Sequence, residues 1–133
     1  MIEVNNTTKI KINKKLIIEI AEKFFKVYKL KNKELSIAFI SDQKMRRLNK
    51  NYRGLDKTTD ILSFNGEDDF LGEIIISPLM IKKQAKENKN PFKYELSFIF
   101  VHGLLHLIGY DDETEKGRLK MIKLGEDFLN KIR

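Results

Sequence analysis

The hydrophobic positions fall into alternating helix-like and strand-like stretches, and their order predicts the architecture. Ile2 to Val4 is a short candidate strand. Asn13 can cap a helix in which Leu16, Ile20, Phe24 and Val27 recur at helical spacing, with Ile17 and Phe25 widening the face, so Lys14 to Tyr28 is expected to be amphipathic and helical. Leu35-Ser-Ile-Ala-Phe-Ile40 alternates and ends apolar, as a mostly buried strand would. Ser41 is a plausible cap for a short helix that sends Met45 and Leu48 inward and Lys44, Arg46, Arg47 and Lys50 outward. The next stretch, Asn51 to Asp60, is polar and broken by glycine, so it is expected to be a loop that carries Arg53 and Lys57.

Ile61-Leu-Ser-Phe64 and Leu71-Gly-Glu-Ile-Ile-Ile76 flank the turn-forming run Asn65-Gly-Glu-Asp-Asp69, which predicts a hairpin. Ser77-Pro78 sets a cap before a proline at the first helical position and starts a helix from Leu79 to Asn88. Asn90-Pro91 repeats the device before a long helix to Ile108, apolar around most of its circumference and therefore central and buried. A last helix, Thr114 to Ile132, presents Leu119, Ile122, Leu124, Phe128 and Leu129. The expected fold is a single α+β domain spanning residues 1–133: a four-stranded mixed sheet packed with about five helices. A chain of 133 residues is long enough for one core, and it shows neither repeats nor a linker.

The chemistry gathers at the end of the central helix. The chain's two histidines, His102 and His106, stand four residues apart on one helical face, a spacing that suits two imidazole ligands of one metal ion. Gly109 is a natural helix stop, and Asp111, Asp112 and Glu113 follow it. Two imidazoles and a carboxylate on the returning chain would form a three-ligand site with an open fourth position. Asp112 is one candidate for the carboxylate, although Asp112-x-x-Glu115 also reads as a capping box for the last helix. Asp111 is the competing ligand, a loop-orienting residue or a proton relay. Gly103 stands where a His-Glu-x-x-His peptidase carries its general base, which counts against a peptidase and suits a close approach of another backbone or a substrate. Arg53, if its loop faces the metal, has the fixed donors to hold a phosphate oxygen.

A formal charge of +7 favours a polyanionic partner, but the lysines are spread along the whole chain, as compositional bias alone would produce. The absence of cysteine excludes a disulfide framework, thiolate-bound zinc and a thiol nucleophile. The N-terminal residues lack the basic and apolar regions of a secretory signal, and the longest apolar window, Leu96 to Gly109, is too short to span a bilayer. A cytoplasmic monomer without a membrane partner is therefore expected.

Three segments together resemble the YbeY family. They are Leu48-Asn-Lys-Asn-Tyr-Arg-Gly-Leu-Asp-Lys-Thr-Thr-Asp-Ile-Leu-Ser-Phe64, Leu71-Gly-Glu-Ile-Ile-Ile-Ser77 and His102-Gly-Leu-Leu-His-Leu-Ile-Gly-Tyr-Asp111. The resemblance implies a metal-dependent, single-strand-specific endoribonuclease acting in 16S rRNA 3′-end maturation and ribosome quality control. The implied partners are single-stranded RNA, rRNA precursors and ribosomal or small-subunit components. By position, His102 and His106 correspond to zinc ligands and Arg53 to the family's functional arginine. Lys57, Arg46 and Arg47 are candidates for neighbouring phosphates, and Asp111 for moving a proton. The family's third histidine falls on Asp112, and Glu73 replaces its usual aspartate. An aspartate ligand keeps Zn²⁺ as the first expectation and widens the choice toward harder ions such as Mn²⁺. Two other readings stay open: a non-catalytic rRNA-binding assembly factor with a structural metal, and a metal-dependent hydrolase of a peptide or small substrate.

Overall fold

The computed structural model describes residues 1–132, and in it the chain runs β1 (Ile2–Asn6), α1 (Lys14–Val27), β2 (Glu34–Phe39), α2 (Asp42–Arg53), β3 (Ile61–Asn65), β4 (Phe70–Ile76), α3 (Pro78–Asn88), α4 (Phe92–Leu107) and α5 (Glu115–Lys131). This is the expected α+β arrangement. The strands form one sheet in the order β1-β2-β4-β3, with β1-β2 and β2-β4 parallel and β3-β4 antiparallel. The hairpin therefore leaves β3 at an edge. The Ser77 N–H donates to the Asp60 carbonyl at 2.9 Å and the Gly66 N–H to Leu71 at 3.0 Å, so the even-numbered residues of β3 bond to β4. Backbone groups of Ile61, Ser63 and Asn65 consequently face the free edge.

One face of the sheet contributes Leu35, Ile37, Phe39, Ile74 and Ile76 to the main core, where they meet Ile17, Ile20 and Phe24 of α1 and Phe100, Leu104 and Leu105 of α4. α2 covers part of the other face through Met45, over Leu62 and Ile75. α4 lies between β3 and α5, which buries it on nearly every side. Gly103 lets α4 sit close on the sheet. A Cβ there would lie 2.7 Å from Ile61 Cδ1 and 3.2 Å from Ser63 Oγ, so those side-chain tips would have to shift to admit one. The end of the helix is tied to the same strand by Asn65 Nδ2, which donates to the Leu107 carbonyl at 3.0 Å.

The structure corrects three details of the sequence reading. Arg53 belongs to the last turn of α2 and not to a loop, because the helix continues until Gly54 adopts φ +70° and closes it. Asn90 does not cap α4: Pro91 holds that position without a side-chain cap, while Asn90 and Asn88 both donate to Glu95 Oε1, at 2.7 and 3.2 Å. The buried Glu95 carboxylate needs those donors, which outweighs a cap at a solvated end. Leu119 is 53% exposed, since Met121, Gly125 and Phe128 set the inward face of α5.

Gly72, at φ +153°, faces the Phe64 carbonyl and Leu107 Cδ2, and an added Cβ would collide with both. Gly72→Ala is expected to lower the unfolding free energy by about 3 kcal/mol, since a backbone clash cannot be relieved by rotating a side chain. Urea denaturation monitored by circular dichroism checks this, and a loss below about 0.5 kcal/mol would contradict the packing described.

Candidate metal centre

His102 and His106 emerge from α4 in the gap between β3 and α5, with ring centroids 4.9 Å apart and planes at 78°. The helix ends where Gly109, at φ +106°, turns the chain back, and its N–H donates to the His106 carbonyl at 3.1 Å. That return brings Asp112 over the imidazoles. Its Oδ2 lies 3.3 Å from His102 Nε2 and 3.7 Å from His106 Nε2. One potential ligand atom from each residue falls within 4.8 Å of the others. Donors held about 2.0–2.1 Å from a tetrahedral ion stand about 3.3–3.4 Å apart, so the spacing and the N/N/O donor set fit a small divalent cation such as zinc.

The electrostatics suit the same task. Burial pushes the His102 imidazole below its ordinary range, outweighing the hydrogen-bonding pull of Asp112, and the charge of His106 adds to the lowering. For Asp112, partial burial acts upward, but the His102 hydrogen bond and the two imidazole charges together hold the carboxyl below its usual value. Neutral imidazole and ionised carboxylate are the forms that ligate metals.

Asp112 is free for this role because it does not cap α5. The cap is Thr114, whose Oγ1 accepts the Gly117 N–H at 2.9 Å, and Asp112 stands two residues before it. Asp111 lies outside the three-residue cluster and outside the lining of the cleft. Its Oδ1 accepts the Glu113 N–H at 3.2 Å, which shapes the returning loop.

The cluster opens into a cleft of about 560 Å³ along the free edge of β3. Arg53 reaches it from the end of α2. Lys57 and Arg46 line a separate depression, where Arg46 Nε donates to Asp56 at 2.9 Å, and Arg47 is exposed on α2. The loop between Arg53 and β3 is pinned from beneath. Buried Asn49 donates through Nδ2 to the Lys57 carbonyl at 2.9 Å, and Asp42 accepts hydroxyl donors from Ser77 and Thr58. Among the lining groups that escaped the sequence reading are Asp60, Arg118 and the apolar set of Phe98, Ile99 and Ile122. Asp60 was foreseeable as the residue entering β3. Arg118 was not, since its helical phase decides which way it faces.

An α+β fold with a three-donor centre at the end of its central helix, opening along an antiparallel sheet edge, is the class of protein defined here. The chain belongs to the family described as Endoribonuclease YbeY, which matches residues 2–133. Among its relatives, the Endoribonuclease YbeY of Thermodesulfovibrio yellowstonii is 37% identical, with 98% of this chain and 95% of that protein covered. The protein of the same name from Acholeplasma laidlawii is 41% identical over 84% of this chain and 83% of its own length. A Thermotoga maritima protein solved in solution superposes with a TM-score of 0.66 at 31% identity, covering 100% of this chain and 92% of that one.

The Thr114 cap can be tested on metal-free protein. Thr114→Ala is expected to cost about 1 kcal/mol of stability and Asp112→Ala clearly less. Equilibrium denaturation of the two variants checks the order, and the reverse order would return the cap to Asp112.

Proposed function

We propose that this protein is a metal-dependent endoribonuclease that cleaves single-stranded RNA. The observation that carries the reading is the convergence of His102, His106 and Asp112 on one wall of a cleft that Arg53 also lines. Family membership supports the reaction class. In this reading the three side chains hold one Zn²⁺ per chain, with Mn²⁺ as the alternative that an aspartate ligand admits. When bound, such an ion supplies electrophilic charge beside the scissile phosphate.

The protein's own groups do the remaining work. Arg53 offers a planar set of donors that positions the scissile phosphate and offsets the charge that grows on its oxygens. Lys57, Arg46 and Arg47, which lie outside the cleft lining, are proposed for phosphates farther along the strand, and the salt-sensitive attraction of a chain with charge +7 draws the strand in. Asp111 shapes the loop that presents Asp112, and its place outside the cleft lining leaves it a structural part. The proposed substrates are precursors of small-subunit (16S) rRNA near the 3′ end and the RNA of defective ribosomes, with ribosomal components as partners and the cytoplasm as location. No helix among the described residues is long and apolar enough to cross a membrane. A monomer is proposed.

Elemental analysis of protein purified without a metal-binding tag should give about one zinc per chain. In Asp112→Ala, metal affinity should fall by about 10-fold or more, while Asp111→Ala should retain the ion. His106→Ala should abolish cleavage of a single-stranded RNA oligonucleotide and leave the circular dichroism spectrum unchanged. Full cleavage by rigorously metal-free wild-type protein would refute the reading. Unchanged RNA binding without any cleavage by metal-loaded wild type would point to an assembly factor.

A further inference from the structure

We infer that Arg118 is a second phosphate-binding residue, which holds the RNA backbone on the α5 side of the cleft while the Phe98, Ile99 and Ile122 side chains receive the nucleoside between it and the scissile phosphate. This rests on the ribonuclease reading above and extends it to a substrate subsite. Arg118 and Arg53 line the same cleft from different elements. α4, which carries the two imidazoles, lies between β3 and α5, so Arg53 at the β3 side and Arg118 on α5 flank the three-donor cluster.

The guanidinium is available. Asp111, Asp112, Glu113 and Glu115 all stand within seven residues of it in sequence, yet among the described residues no carboxylate lies within 4.0 Å of Arg118. Its place gives it no local reward either. It is the fourth residue of α5, near the end where the helix dipole disfavours cations. An exposed, unpaired arginine there gains most from an anion that enters the cleft.

The chemistry between the cations identifies that anion. Phe98, Ile99 and Ile122 are partly buried and form an apolar lining next to the polar centre. A phosphodiester strand alternates charged and flat apolar groups in the same way. A base can lie on such a lining only when it is unstacked, so the subsite selects single-stranded over duplex RNA. Free phosphate would satisfy Arg118 and leave the apolar lining unused.

The test compares full-length wild type with Arg118→Gln and Arg118→Lys on a single-stranded RNA oligonucleotide, measuring Kd on metal-stripped protein across a salt series and kcat on metal-loaded protein. Arg118→Gln is expected to weaken binding by about three- to tenfold near 0.1 M salt and to reduce the slope of log K against log salt by about 0.7, the loss of one single-strand phosphate contact. Its kcat at saturating RNA should change less than about twofold, because the contact is equal in ground and transition states. Arg118→Lys should keep the wild-type slope. Lys123→Gln, which removes a cation on α5 already paired with Asp127, is the control expected to leave slope and Kd unchanged. If wild type cleaves the oligonucleotide and Arg118→Gln matches it in Kd and slope, the inference is overturned while the ribonuclease reading stands. If wild type neither binds nor cleaves it, both fall.

Discussion

The seating of α4 against the edge of the sheet is the constraint on which the rest depends. At Gly103 the helix lies close against the Ile61 and Ser63 side chains, and Asn65 fastens its end to the same strand. Flanking residues Phe100, Leu104 and Leu105 are fully buried and fix the rotation of the helix about its axis. With that rotation set, His102 and His106 can point only into the gap beside β3. The two imidazoles are thus oriented by an apolar contact surface, and their positions need no polar partner until the chain returns with Asp112.

Around this rigid axis the other site groups hang on turns, and each turn is closed by a specific device. Gly54 ends α2 one residue after Arg53, and Gly109 ends the turn that follows His106. Asn49, Asp42 and Ser77 hold the segment that connects Arg53 to β3, so the guanidinium is carried on a short and well-anchored approach. Thr114 takes over the capping of α5 and leaves the Asp112 carboxylate uncommitted. A site assembled from one core helix and three braced turns holds its ligating atoms close before any ligand arrives, which reduces the ordering cost of binding.

Much of this was legible in the sequence for a simple reason. Half-buried elements repeat their apolar residues at the period of their own backbone, so α1 and the hairpin announce themselves, while α4 does so by the length of its apolar run, and the spacing of His102 and His106 is fixed once α4 is recognised. Asp112 was left open between ligand and cap, since Asp112 and Thr114 are both good caps and only the path of the chain after Gly109 decides between them. The misreadings fall where one residue serves a need that its neighbours do not show. Asn90 looked like a cap because the buried need of Glu95, five residues on, cannot be read from neighbours. Arg53 looked like a loop residue because Gly54 marks a helix end as readily as a loop interior. Arg118 carried no signal at all, since its relation to Arg53 exists only after α5 has packed on α4.

The cleft also has a bearing on how the molecules tolerate one another at high concentration. An uncovered strand with outward backbone donors and acceptors is a template for pairing with a second chain, and the usual remedy of covering it is closed to β3 because that edge borders the centre. The remedy here is charge. Guanidinium groups of Arg53 and Arg118 border the groove, and charged side chains beside an open strand are one of the means by which proteins blunt such an edge. The same two side chains that suit a polyanion thus stand where an unpaired strand edge most needs a charge.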